Sequence, residues 1–250
     1  MSRITWDALG ERLYEVGLDH GVLYLPDSTD DFTNGIPWNG LTKVTDPVLQ
    51  RNSNGLYSGN YKVRNAYDPG EYTGTIEAFT YPDEFEQCIG SEEYYPGVFF
   101  TRQGITRFGL SYRSLVGNDS EGLDRGYKIH LLYNLEIVKH DRTYTSINDS
   151  IDPSPLTWDY ESFPHFPEDS DRDPVYHIVM DSTKLPKMYM QHLEEVLYGT
   201  ASTVPRLPTP DEISEEYYYY YNIWRGYPGL ALYIGDALYP SLPEKDYIYG

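Results

Sequence analysis

The chain has 250 residues, with 39 acids against 19 Lys and Arg and a formal net charge of −20. A surface of that sign repels phosphates within a Debye length of roughly 8–10 Å, which argues against a nucleic-acid-binding role. The single cysteine excludes an internal disulfide framework and a cysteine-rich zinc site, and frequent Gly (21), Pro (18) and Tyr (27) favour strands and turns over a helical bundle.

The start, "MSRITWDALGERLYEVG", lacks the apolar stretch of a secretory signal. No apolar run reaches the roughly 18 residues that span a membrane. The expected location is therefore a cytoplasm, and the sequons at Asn118 and Asn148 read as turn chemistry.

"GVLYL" (21–25) reads as a short strand. Residues 26–60 are polar and carry one weak strand, "GIPWNGLTKV". A loop of that length is either functional or a solvent-exposed insertion. In 71–81, Tyr72, Ile76 and Ala78 share one face, and Glu71, Thr73, Thr75 and Glu77 the other. In 105–113, Phe108, Leu110 and Tyr112 oppose Arg107, Ser111 and Arg113. In 126–133, Tyr127, Ile129, Leu131 and Tyr133 oppose Lys128 and His130. Period two with one apolar face predicts half-buried strands. The last two form a hairpin around a long polar loop, "LVGNDSEGLDRG". "TYTSIND", "LTWDYES" and "VYHIVM" are further strand candidates.

One helix is predicted, over about 183–198. Leu185, Met188, Tyr189, His192, Leu193, Val196 and Leu197 form an apolar stripe. Ser182 or Thr183 caps it, Pro186 sits in its first turn and Gly199 ends it. His192 reads as a packed histidine. "TASTVPRLPTPDEI" reads as extended. The tyrosine-rich tail from 214 to 250 shows no helix period and reads as an arm that needs a partner surface.

Chemistry is hard to find. "EAFTYPDEFEQCIG" (77–90) offers Asp83 and Glu84, but glycosidases need two carboxyls roughly 5–10 Å apart across a cleft, and adjacent residues at a strand end point to opposite faces. Cys88 has no histidine in a recognisable pattern to activate it. No His-x-His or HExxH occurs. "DSDRD" copies three calcium-loop positions, Asp169, Asp171 and Asp173, but Pro174 and Met180 exclude an EF-hand and leave a loose surface calcium site open. No catalytic, cofactor-binding or metal-binding residue is nominated.

Nine segments occurring in order carry a resemblance. They are "ITWDALGERLYEVGLDHGVLY", "WNGLTKV", "TGTIEAFTYPDEFEQCIG", "RFGLSYRSLVGNDSEGLDRGYKIHLLYN", "YTSINDS", "LTWDYES", "MDSTKL", "LEEVLYGT" and "PRLPTPDEI". Together, over about 4–213, they resemble the major tail protein (tail tube) family of long non-contractile-tailed phages of Gram-positive bacteria. The resemblance implies a mainly β fold, an antiparallel β-sandwich or barrel with a flanking helix. It implies stacked hexameric rings around a tape-measure protein, with tail terminator and distal tail proteins as further partners. DNA passes through without specific binding, no membrane is involved, and the chain ends in the virion tail after a period in the host cytoplasm. It implies no enzyme activity. Cys88 matches a position where the family often carries cysteine. The family commonly stops after "PRLPTPDEI" or continues into an immunoglobulin-like decoration, so the domain reads as 1–213 and 214–250 as an arm. Residues 46–60 also depart from the commoner family pattern.

Several expectations follow for such a tube. Glu71 and Glu77 line the lumen and keep phosphates off the wall. The loop 42–60, with Asp46, Arg51, Asn54 and Tyr57, makes the contact between rings. Tyr217, Tyr219, Tyr221, Trp224 and Tyr233 of the arm clamp neighbouring subunits. The rival readings are a carbohydrate-binding β-sandwich that stacks tyrosines on sugars and a glycosidase with an unrecognised acid pair.

Overall fold

The computed structural model describes residues 6–50, 53–58, 61–67, 71–141, 155–167 and 173–224. The strands are β1 (Tyr14–Leu25), β2 (Asn34–Pro37), β3 (Leu41–Val44), β4 (Val48–Gln50), β5 (Ser53–Ser58), β6 (Tyr61–Tyr67), β7 (Glu71–Ala78), β8 (Ser91–Tyr95), β9 (Val98–Thr101), β10 (Phe108–Asn118), β11 (Gly122–Asp141), β12 (Leu156–Ser162) and β13 (His177–Asp181). The helices are α1 (Lys187–Tyr198) and α2 (Pro210–Trp224). The protein is mainly β and its strand pairs are antiparallel.

The main sheet runs β2-β1-β10-β11-β12-β7-β3, with β13 added to β11 and β4 to β7. Strand β11 makes this one path into two layers. Its first part, Lys128–Leu132, pairs with β13, and its second part, Leu135–Asp141, pairs with β12. Between them Asn134 takes a φ of 51°, a left-handed conformation that asparagine tolerates better than most residues. The bend turns β12, β7 and β3 back over β1 and β10. Where the layers meet, a Cβ on Gly21 of β1 would lie 2.8 Å from the Leu41 side chain of β3. Any side chain at this position would have to displace the tip of Leu41.

Period two explains the two cores. Leu23, Phe108, Leu110, Tyr112, Leu132, Ile76, Trp158 and Tyr160 fill the space between the layers. Alternate residues Val22, Tyr24, Ile129, Leu131 and Tyr133 point the other way and bury against Tyr189, Met190, Leu193 and Leu197 of α1. The order is therefore helices, first sheet layer, second sheet layer. The segment 77–90 closes one part of the inner core. Residues Asp83–Ile89 form a 3-10 helix that buries Phe85, Cys88 and Ile89, and Gly90 (φ 71°) ends it. Phe85 meets Trp158 and Phe108 edge-on, each at 5.3 Å, a favoured aromatic geometry.

Four expectations need correction. The β10–β11 connection is short, not a long loop. Both strands extend until Asn118 pairs with Gly122, and the Asn118 side chain accepts from the Ser120 and Glu121 amides. Gly122 supplies the positive φ (62°) that such a turn needs. Residues 26–60 hold four short strands, because pairing with β1, β7 and β6 supplies hydrogen bonds that the polar sequence does not advertise.

Helix α1 starts at Lys187. Thr183 bonds Asp181 in a local turn, and the residue before a proline is pushed out of the helical region. Its buried face includes Met190, which lies off the predicted stripe, while Met188 is exposed. A second helix, α2, replaces the extended reading of 210–213 and the non-helical reading of 214–224. "TPDE" is its start: the Glu212 amide donates to Thr209 Oγ1 at 3.2 Å, and the Thr209 amide donates to Glu212 Oε2 at 2.9 Å. That is a capping box with proline at the first helical position. The strand candidate at 143–149 lies outside the described residues.

Candidate functional site

Three features of the surface stand out once the layers are in place. The first is the outer face of the second layer. Thr157, Asp159 and Glu161 of β12 alternate with the buried Trp158 and Tyr160 and so face away from the inner core. Glu136 of β11 pairs directly with Glu161, and Glu161 with Thr73 of β7. Like charges opposite one another across strands are destabilising. Burial, then Glu71 and Glu136, push the Glu161 carboxyl above the usual glutamate range. The predicted acids divide here. Glu71 belongs to this crowded group, whereas Glu77 is held by Lys43 Nζ at 2.7 Å. Arg107 Nε contacts Glu136 at 3.0 Å. The sequence reading missed Glu136 and Glu161; the alternation of "LTWDYES" was the signal that could have found the latter.

The second feature is the β8–β9 hairpin. It forms its own two-stranded sheet, closed at its base by a bond from the Gln103 amide to the Gly90 carbonyl at 3.0 Å. Tyr94, Tyr95, Val98, Phe99 and Phe100 are between 45% and 62% exposed. Adjacent strand residues point to opposite faces, so both faces of the hairpin are aromatic. The sequence reading also missed this element. Its signal was the pair of doublets "YY" and "FF" flanking a Pro-Gly turn, which a half-buried strand does not produce.

The third is a polar cluster at one end of the inner core. Asp46, His130 and His177 bring one ligand atom each within 4.8 Å of one another. His130 Nδ1 lies 3.2 Å from His177 Nε2 and 3.8 Å from Asp46 Oδ1. His130 stacks on Tyr112 with ring centroids 4.5 Å apart, and its edge meets that of His177, centroids 5.3 Å apart and rings 19° from parallel. The Tyr112 hydroxyl donates to Asp46. Burial holds both imidazoles below the ordinary histidine range, His177 at about 4. Positions 46, 130 and 177 share no motif spacing, so folding alone brings them together.

The other nominated residues scatter. Asn54 and Tyr57 lie in β5, paired with β6 in a small hairpin and not in a free loop, and Arg51 is outside the described residues. Tyr217 packs on Tyr189 of its own chain at 5.8 Å. Tyr219 and Tyr221 ride on α2, Trp224 ends it, and Tyr233 is outside the described residues. Asp169 and Asp171 also lie outside them. Asp83 and Glu84 sit in the first turn of the 3-10 helix. Burial pushes the Cys88 thiol far up, the opposite of an activated nucleophile. A cleft of about 290 Å³ includes His165, Arg206 and Glu212 in its lining, but Glu212 is engaged by Arg206 at 2.7 Å and by the α2 cap. No described helix is long and apolar enough to cross a membrane.

No protein-family model matches the chain, and no curated protein matches it. Solved structures give distant likenesses. One is the sheath–tube complex of the extracellular contractile injection system PVC in its extended state, with TM-score 0.33, 11% identity, and cover of 65% of this chain and 88% of that one. Another is the sheath/tube terminator of the same system, at 0.32 and 11%, covering 71% and 99%. A third is the baseplate of the anti-feeding prophage, at 0.33 and 10%, covering 73% and 100%. Likenesses this distant assign no function to the chain.

Proposed function

We propose that the chain is a structural subunit that assembles with copies of itself into a tail tube, and that it performs no catalysis. The observation that carries this reading is the β8–β9 hairpin. Two strands alone are marginally stable in water, and large aromatic surface on both faces calls for a covering partner. A second copy of the chain is the occupant that fits, because the second layer also ends in the short strand β3, the last strand of the main sheet path. Head-to-tail contacts of this kind close into rings and stack into filaments.

The finer details follow the sequence resemblance. Copies form hexameric rings, stacked around a tape-measure protein and bounded by terminator and distal tail proteins, in a long non-contractile virion tail. The acidic outer face of the second layer lines the lumen. On a wall carrying Glu71, Glu136 and Glu161 the neighbouring Arg107 is already paired with Glu136, so acids outnumber bases, few phosphates are neutralised and the genome slides through without binding. The hairpin β5–β6 contacts the next ring, and α2 with the chain beyond it clamps a neighbour.

The test is a pair of substitutions on the hairpin, Phe99→Ser with Phe100→Ser, in the full chain. The expected result is an unchanged monomer melting transition together with loss of rings and tubes by electron microscopy. Tubes of ordinary yield and length from the variant would overturn the reading.

A further inference from the structure

We propose that Asp46, His130 and His177 form a binding site for one zinc-class divalent ion. The geometry of the free side chains already approximates the bound one. A tetrahedral zinc with Zn–N near 2.0–2.1 Å places two ligating nitrogens about 3.3 Å apart. The Nδ1 of His130 and the Nε2 of His177 are 3.2 Å apart. The carboxylate oxygen of Asp46, 3.8 Å from the same Nδ1, closes the third corner with a small movement of an exposed side chain. Two imidazoles and a carboxylate suit zinc, and leave its fourth position to water.

The groups around the three ligands are arranged for this role. His130 Nε2 lies 3.3 Å from Glu15 Oε1 and 3.1 Å from Ser114 Oγ. A carboxylate only accepts, so the ring donates its Nε2 proton to Glu15. That leaves the lone pair of Nδ1 aimed at the centre of the cluster. A ligating histidine typically donates its other N–H to just such a carboxylate. Glu15 is in turn fixed by Lys128 and Ser114. Asp46 is oriented by the Tyr112 hydroxyl. Stacking on Tyr112 holds the His130 ring in place, and the His177 ring meets its edge nearly in plane.

The ligands come from distant parts of the fold. His130 is on β11, His177 begins β13, and Asp46 lies between β3 and β4. An ion there ties the β3–β4 connection of the second layer to the first layer. The site depends only on the fold of one chain and stands whether or not the chain assembles.

The experiment takes the full chain stripped with a chelator and titrates it with Zn²⁺ alone, then with Co²⁺ alone. The expected results are one saturable equivalent, a rise in melting temperature, and the intense visible bands of four-coordinate cobalt. His177→Gln and Asp46→Asn, which spare the buried His130, are each expected to weaken zinc binding by more than about tenfold, and Glu15→Gln by about 10–100-fold through loss of ring orientation. Absence of saturable binding to the native chain overturns the proposal, and the pair is then a histidine–histidine hydrogen bond. Unchanged affinity in both ligand variants, or only the weak spectrum of six-coordinate cobalt, also overturns it, by placing the ion elsewhere on the acidic surface.

Discussion

The Tyr24 hydroxyl of β1 donates to the carbonyl of Leu197 near the end of α1 at 2.8 Å, inside the outer core. Both side chains are fully buried. Helix ends leave carbonyls without internal partners, and Gly199 here lies outside the usual left-handed cap region, at φ 74° and ψ 171°. A sheet residue therefore serves as the cap and fixes the helix on its layer. Tyr24→Phe removes the donor and strands a buried carbonyl. The expected cost is about 1–2 kcal/mol, read as a lower urea midpoint with an unchanged slope. A shift within error would show that water or a rearranged Ser111 supplies the bond.

The second helix is joined to the first by charge as well as by rings. His192 Nε2 lies 3.3 Å from Glu216 Oε1, and contact with Glu216 raises the histidine above its ordinary range. A raised folded-state pKa gives stability that is fully present below about 6.5, the unfolded value, and is lost as pH rises through the folded value. His192→Gln should thus be less stable than the native chain at pH 5.5 and approach it by pH 8.5. Thermal melts across that range check the convergence; a gap independent of pH would assign the contact to packing alone.

These contacts show what the sequence made legible and what it hid. Alternation in "RFGLSYR" and "GYKIHLLY" correctly paired Phe108, Leu110 and Tyr112, and Ile129, Leu131 and Tyr133, on shared faces. It did not show that Ser111 is buried on the opposite face, where it contacts the Tyr24 hydroxyl at 3.1 Å. Helix α2 was hidden because five consecutive tyrosines offer no contrast between apolar and polar positions. The choice of face is made by α1, which takes Tyr217 and Tyr220 against Tyr189. Its capping box, Thr209 with Glu212, is present in the sequence but set among prolines that read as extended chain. The cluster of Asp46, His130 and His177 is a product of β11 bending between two layers, which no local pattern encodes.

Cys88 is fully buried beside Phe85 and Ile89. Its thiol should resist alkylation in the native chain and react once the chain is unfolded. Mass spectrometry after a pulse of iodoacetamide, with and without denaturant, distinguishes the two. Fast native labelling would mean that the 3-10 segment opens readily. Cys88→Ser buries a hydroxyl in an apolar setting and should cost about 1–3 kcal/mol.

The acidic face should destabilise the chain at neutral pH. Glu161 faces Glu136 across the strand pair, and its carboxyl is raised by burial and by its acidic neighbours. A raised acid loses stability as pH rises through its folded value. Glu161→Gln should therefore stabilise the chain at pH 7 and leave it unchanged at pH 3.5, by thermal melts. A destabilised variant at pH 7 would show instead that Glu161 holds a structural contact.

If that face lines a channel, Glu71→Lys with Glu161→Lys should leave tube formation intact and make tubes retain DNA at low salt, with retention falling steeply as salt rises. The choice of Glu71 and Glu161 spares the Lys43–Glu77 pair. Equal DNA retention by native and variant tubes would place the acids on the outer wall.

Self-association is most directly tested by negative-stain electron microscopy of the purified full chain over a rising concentration series. Rings that stack into hollow tubes of uniform diameter are the expected result. A chain that stays monomeric and dispersed at every concentration, with its hairpin aromatics still in water, would contradict the account.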